Sequence, residues 1–356
     1  MFKFNELKQI HLEITNNCQA SCPMCSRNHH GGIENPAIKV NNWTSDHFKQ
    51  VINLEVLTQI DELYFCGNFG DPLLNKDLLE MCKYASDTKP EIHIRVHTNG
   101  SLRSATWWKD FASALPRNHT VVFALDGLSE THSLYRIGTD YHQILRNATS
   151  FIQAGGNAEW AFIRFKHNAH EVESAKNIAM ELGFKSFVMK DSSRFMVDNK
   201  FPVLDKDSNI THYLEPSSES KIVFIKKSDI DNYKAIVKAS TIDCYALKNK
   251  EVYIDAYGHL FPCCWIASTP YNYTDLLSPI SMVKQEMSNQ HAALIADLGD
   301  VDTANRSVKD IINSDEYQSV WHKYWNESKL ITCARACGVN KLSKPMDQFV
   351  DQENFL

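Results

Sequence analysis

Long apolar runs are missing from this sequence. No stretch of its 356 residues approaches the roughly 18 apolar residues that a membrane-spanning helix needs. The most apolar segments are short, such as Val121-Val122-Phe123-Ala124-Leu125. The opening Met1-Phe2-Lys3-Phe4-Asn5-Glu6-Leu7-Lys8 is broken by charge within a few residues, so it lacks the apolar core of a secretory signal. These absences lead to the expectation of a soluble, cytoplasmic protein with no membrane partner. Long Lys/Arg runs are also missing, and 37 basic against 43 acidic residues leave a net charge of −6 at pH 7. The electrostatic footprint of a nucleic-acid binder is therefore absent, and a small or neutral partner is expected. Only 13 Gly and 11 Pro exclude a collagen-like or low-complexity chain, and the length accommodates about two domains.

What the sequence does have is cysteine, ten in all. In a long chain without a secretion signal these read as thiolate ligands, because a reducing compartment does not sustain a disulfide framework. They fall within an alternating pattern. Gln9-Ile10-His11-Leu12-Glu13-Ile14-Thr15 alternates as a strand and a helix is expected from about Thr44. Strands follow near 62–66, 92–96, 121–125, 160–165 and 184–189, with helical spacing near 75–87, 104–115, 140–153 and 171–182 between them. Six strands alternating with helices predict an α/β fold: a parallel sheet curling toward a partial (β/α)6 TIM-like barrel over residues 1–190, with ligands beyond the carboxyl ends of its strands. The polar stretch 191–243 carries Pro202, Pro216 and one apolar run, Ile222-Val223-Phe224-Ile225, and reads as a linker or insertion. Residues 244–356 form a small C-terminal α+β unit, with a hairpin over 252–262 and helices near 283–296 and 308–325.

Directly after the first strand stands Cys18-Gln19-Ala20-Ser21-Cys22-Pro23-Met24-Cys25. Three thiolates this close can hold one face of a cubic iron–sulfur cluster and leave the fourth iron open. The alternatives are a zinc site completed by His29 or His30, or three cysteines buried as small hydrophobes.

With this motif the chain resembles the radical S-adenosylmethionine superfamily, whose mark is Cys-x3-Cys-x-aromatic-Cys after the first strand of such a barrel. Met24 stands here at the aromatic position, where a thioether can lie against adenine. Further likenesses fall at strand ends. Phe69-Gly70-Asp71-Pro72 is similar to the Gly-Gly-Glu-Pro motif, which implies that Gly70 and Asp71 hold the methionyl amine of the cofactor. Thr98-Asn99-Gly100 looks like the family's Thr-Asn-Gly, which implies a cofactor contact at Asn99. Ala124-Leu125-Asp126-Gly127 is similar to Ser-x-Asp-Gly, with Ala124 in place of the serine and Asp126 as the substitute that would meet the ribose. The resemblance likewise implies that Arg136 pairs with the methionyl carboxylate and that Met189 touches adenine. It covers about residues 9–190.

Four more cysteines, Cys244, Cys263, Cys333 and Cys337, could fully ligate a second cluster. The frame Tyr253-Ile254-Asp255-x-x-Gly258-x-x-x-Pro262-Cys263 resembles the twitch domain, a shortened SPASM extension, although the Cys-x3-Cys ending differs from the family's Cys-x2-Cys. Cys264 competes with Cys263 as ligand, and a structural zinc is the alternative metal. Cys66 and Cys82 read as core residues. The resemblance implies two [4Fe–4S] clusters, S-adenosylmethionine and an external one-electron reductant such as flavodoxin or ferredoxin. The substrate it implies is a peptide or a carbohydrate or aminocyclitol-like molecule, with the second cluster serving a net oxidation. The competing class is a non-catalytic iron–sulfur or zinc protein for electron transfer or sensing.

Overall fold

The computed structural model describes residues 1–192, 194–195, 199–220, 232–274, 281–339 and 353–354. The apolar run at 222–225 lies outside them. Six parallel strands form as expected: β1 (Gln9–Leu12), β2 (Glu62–Phe65), β3 (His93–Thr98), β4 (His119–Ala124), β5 (Ala158–Arg164) and β6 (Ser186–Asp191), each hydrogen-bonded to its sequence neighbour. Parallel neighbours need a crossover, and helices supply it. Their starts are written in the sequence: Thr44, Ser104 and Asp140 each cap a helix by accepting from the backbone N–H three residues on. The helices bury their apolar faces on one side of the sheet, where Trp108, Phe111, Phe123, Phe151 and Trp160 form the centre of the core.

Two expected helices are broken, and the cause is the same in both. The helix begun at Ser45–Val51 stops and restarts as Leu54–Gln59, because Asn53 accepts a cap bond from Val56 N–H. The long C-terminal helix divides into Val308–Asn313 and Asp315–His322 around Ser314, which caps through Tyr317 N–H. A short polar residue competing for the backbone overrides helical spacing on either side of it.

The stretch 191–243 carries more order than a linker. It contains a hairpin of β7 (Phe201–Leu204) and β8 (Ile210–Leu214), and a helix Tyr233–Ala239. The expected C-terminal hairpin forms from β9 (Glu251–Ile254) and β10 (Leu260–Phe261). Its first strand pairs in parallel with β1, so the sheet continues through the C-terminal unit in the order β10-β9-β1-β2-β3-β4-β5-β6-β11, where β11 is Glu353–Asn354. The carboxyl ends of β1 to β6 and β9 thus share one rim. Among the described residues no helix is long and apolar enough to cross a membrane.

Candidate active site

The cysteine loop leaves the end of β1 and is pinned to the rim by backbone bonds. Ser21 N–H donates to Ile137 carbonyl at 2.8 Å, and Asp71 N–H donates to Asn17 carbonyl at 2.9 Å. A Cβ on Gly70 would stand 1.8 Å from the Thr15 carbonyl oxygen, so only glycine lets the loop after β2 lie this close to the loop after β1. Cys25 N–H closes a turn onto Cys22 carbonyl at 3.0 Å.

Each of the three thiols meets a different rim loop. Cys18 lies 3.9 Å from the Asn99 side-chain amide after β3, Cys22 lies 4.0 Å from Arg136 Nη1 after β4, and Cys25 lies 4.0 Å from the Asn68 carbonyl after β2. Burial pushes the Cys22 thiol up to about 11, with the Arg136 guanidinium working against the rise. Burial also pushes Cys18 up, reinforced by Asp71, Cys22 and Cys25. As thiolates these groups would crowd like charges into a dry site, which is unfavourable until a cation joins them. The donor set fits an iron–sulfur cluster, whose cysteines each bind a different iron. Among the described residues no three His, Cys, Asp or Glu side chains, at either group of cysteines, stand close enough around one point to hold a single metal ion. Nor does His30 turn to the thiols: its Nδ1 pairs with Pro202 carbonyl at 3.1 Å and its ring stacks on Phe201.

Several of the residues expected at the cofactor also bond within the chain. Asp71 is buried, and its carboxylate accepts from Thr98 Oγ1 at 2.8 Å, Asn99 N–H at 2.7 Å and Leu73 N–H at 3.0 Å. It stitches the loop after β2 to the loop after β3 and caps the turn Pro72–Leu74. The acid expected at the ammonium of the cofactor is therefore buried and held by three donors of the chain. Asp126 is fully buried; one oxygen takes Arg136 Nε at 2.6 Å and the other takes Ile163 N–H at 2.5 Å. Arg136 is fixed by that pair and directed toward Cys22. Met24 is buried beside Tyr135, Phe165 and Phe195, with its sulfur 3.4 Å from Ser192 Oγ, and Met189 packs in the main core on the helix side of the sheet. Asn99 does stand at the first cysteine cluster, bonded to Gln19 Nε2 at 2.8 Å through its Oδ1.

The second set of cysteines is drawn from three separate elements. The Cys244 thiol is hydrogen-bonded with Cys337 and, by that bond, by burial and by the nearness of Cys263 and Cys333, is pushed far above the ordinary thiol range. Burial raises Cys333, with Cys263 and Cys337 adding to it, and burial raises Cys263 as well. The helix Ile331–Cys337 places Cys333 and Cys337 one turn apart, so a spacing of three intervening residues sets both on one face. Cys263 and Cys264 part as the chain passes from extended backbone into a helix: after burial, Cys263 feels Cys264 and Cys337, whereas Cys264 feels Glu251, Cys66 and Glu13.

Sequence reasoning missed the acid Glu13, although it continues the alternation of β1. It is buried and accepts from Tyr253 OH at 2.5 Å, Phe69 N–H at 2.8 Å and Gly70 N–H at 3.0 Å, which ties β9 and the loop after β2 to β1. Burial lifts its carboxyl to about 7 despite these donors. Cys82 is core, as expected; Cys66 is half-buried at the end of β2.

Residues 12–185, a little under half of the chain, match the model described as the Radical SAM superfamily. No curated protein matches. Among solved structures the fold is similar to that of anSMEcpe with bound AdoMet, at 13% identity and a TM-score of 0.54, over 98% of this chain and 89% of that one. It is similar also to Streptococcus suis SuiB bound to the precursor peptide SuiA, at 12% identity and a TM-score of 0.54, over 88% of this chain and 67% of that one. At such identities the likeness concerns the fold.

Proposed function

We propose that the protein is a radical S-adenosylmethionine enzyme with two [4Fe–4S] clusters that removes hydrogen from a peptide substrate. One observation carries the reading: three thiols, each set against a different loop, stand at the carboxyl rim of a parallel sheet within the stretch that matches the family model. Cys18, Cys22 and Cys25 would hold a cluster there, which when reduced would supply the electron for cleavage of S-adenosylmethionine to a 5′-deoxyadenosyl radical.

The chain's own residues place and protect that chemistry. Asn99 and Gln19 brace Cys18, and Arg136, fixed by Asp126, sets positive charge beside Cys22. Val203 and Leu214 of the β7–β8 hairpin pack with Cys22, Met24 and Tyr135, which excludes water from that side of the loop. Cys244, Cys263, Cys333 and Cys337 offer four thiols for a cluster with no open iron, suited to accepting the electron left after hydrogen removal in a net oxidation. A flavodoxin or ferredoxin would supply the first electron in the cytoplasm. The peptide reading is supported by analogy of fold, since SuiB and anSMEcpe have been crystallised with peptides; a carbohydrate or aminocyclitol-like substrate is the other member of the class.

The test is chemical. Anaerobically reconstituted protein given dithionite and S-adenosylmethionine should release 5′-deoxyadenosine. Intact S-adenosylmethionine after many hours would favour a non-catalytic iron–sulfur or zinc protein in electron transfer or sensing.

A further inference from the structure

Alternation along β6 divides its side chains between two environments. Phe187 and Met189 enter the core under the helices, so Lys190, next along the strand, lies on the opposite, inner face at the rim. Lys190 is mostly buried, with part of its surface still open. Among the described residues its ammonium makes no hydrogen bond and no ion pair, although long ammonium side chains are seldom enclosed without a partner.

Its surroundings do not neutralise it. Asp126 is the carboxylate nearest in effect, yet both its oxygens are already taken by Arg136 and Ile163 N–H. Burial holds the Lys190 ammonium below its ordinary value, Asp126 and Cys66 oppose that, and the guanidinium groups of Arg136 and Arg194 add to it. Across the inner face, Cys66 and His97 also sense this ammonium, but neither carries charge at pH 7: burial pushes the Cys66 thiol up to about 11 and keeps the His97 imidazole neutral. The inner rim therefore presents one cation without an assigned anion, bordered by two further cations.

We infer that Lys190 is a specificity-determining residue that anchors a carboxylate of the molecule giving up hydrogen, so that the substrate is an acid held with its carboxylate against the inner end of β6. The inference deepens the function proposed above and rests on it. A carboxylate there would meet the ammonium directly and feel Arg136 at longer range, and its neutral amide would leave the ammonium as unpaired as before. The cofactor is the other source of a carboxylate in this site, and the response to S-adenosylmethionine separates the two.

The test uses thermal melting of the reconstituted protein, so it does not depend on turnover. Lys190→Met keeps the aliphatic stem and removes an uncompensated charge, and the variant should melt about 3 °C higher than wild type, as expected when a residue is kept for function at the expense of stability. N-acetylglycine at millimolar concentration should raise the melting temperature of wild type and of Lys190→Arg but not of Lys190→Met, while N-acetylglycinamide should raise none of them. S-adenosylmethionine should stabilise wild type and Lys190→Met alike. A Lys190→Met variant that melts lower or fails to fold, together with a wild type indifferent to N-acetylglycine, would make Lys190 structural and overturn the inference. Loss of stabilisation by S-adenosylmethionine in Lys190→Met would assign the ammonium to the cofactor and overturn it too. Failure of the 5′-deoxyadenosine assay with the N-acetylglycine response intact would remove the reaction and leave the anion site, so the two failures are distinguishable.

Discussion

Two buried acids carry different burdens, and substitution separates them. Asp71 accepts three hydrogen bonds from two loops. Asp71→Ala leaves those donors unpaired and should cost about 3 kcal/mol, read by urea denaturation of the apoprotein. A loss below about 0.5 kcal/mol would return the acid to a ligand-only role. Glu13 instead imposes a pH dependence. Its carboxyl titrates near 7 in the fold, above the ordinary value of 4.5, so the folded state binds the proton more tightly than the unfolded one. Stability from that proton is complete below pH 4.5 and is lost as pH rises to 7. Relative to Glu13→Gln, which stays neutral throughout, wild type should lose about 3 kcal/mol over that window. The comparison cancels the opposite trend from His11 and His132, which burial holds near 4 in both proteins. Equal pH profiles for the two proteins would contradict it. The sequence marked Asp71 for a cofactor role but did not show its three donors, because they come from Leu73, Thr98 and Asn99 and only folding unites them.

At the scale of elements, the β7–β8 hairpin links the insertion to the chemistry. Val203 and Leu214 are fully buried against the residues around Cys22 and Met24, and Leu204 N–H bonds His30 carbonyl at 2.8 Å. Leu214→Ala should cost about 3 kcal/mol through the cavity it leaves. Hydrogen exchange should quicken at the amides of Cys25, Asn28 and Leu204, while β3 and β4 keep their protection. Uniform quickening across the sheet would mean that the hairpin supports the whole fold and not the cysteine loop in particular. The βα alternation was legible because each strand and helix of the barrel carries its own period and cap. The hairpin was not, since Ile210 and Tyr213 are exposed and each strand buries a single side chain, Val203 or Leu214. The parallel pairing of β9 with β1 was equally silent, because register between strands 240 residues apart leaves no local pattern.

Across the whole molecule, the sheet running from β10 to β6 carries two groups of cysteines at separate places, three in the loop after β1 and four drawn from Cys244, the start of the helix at Cys263 and the helix Ile331–Cys337. Both groups were visible in the sequence as spacing, and the choice between Cys263 and Cys264 was not, since it depends on where extended backbone gives way to helix. The account stands on these being two independent cluster sites. Iron counted per chain after anaerobic reconstitution tests that most directly, in wild type, in the Cys18→Ala/Cys22→Ala/Cys25→Ala variant and in a Cys244→Ala/Cys337→Ala variant. The account predicts about eight irons in wild type and about four in each variant, with the loss in one leaving the other cluster's spectrum unchanged. Full iron retention in the triple variant, or about four irons in wild type, would contradict it.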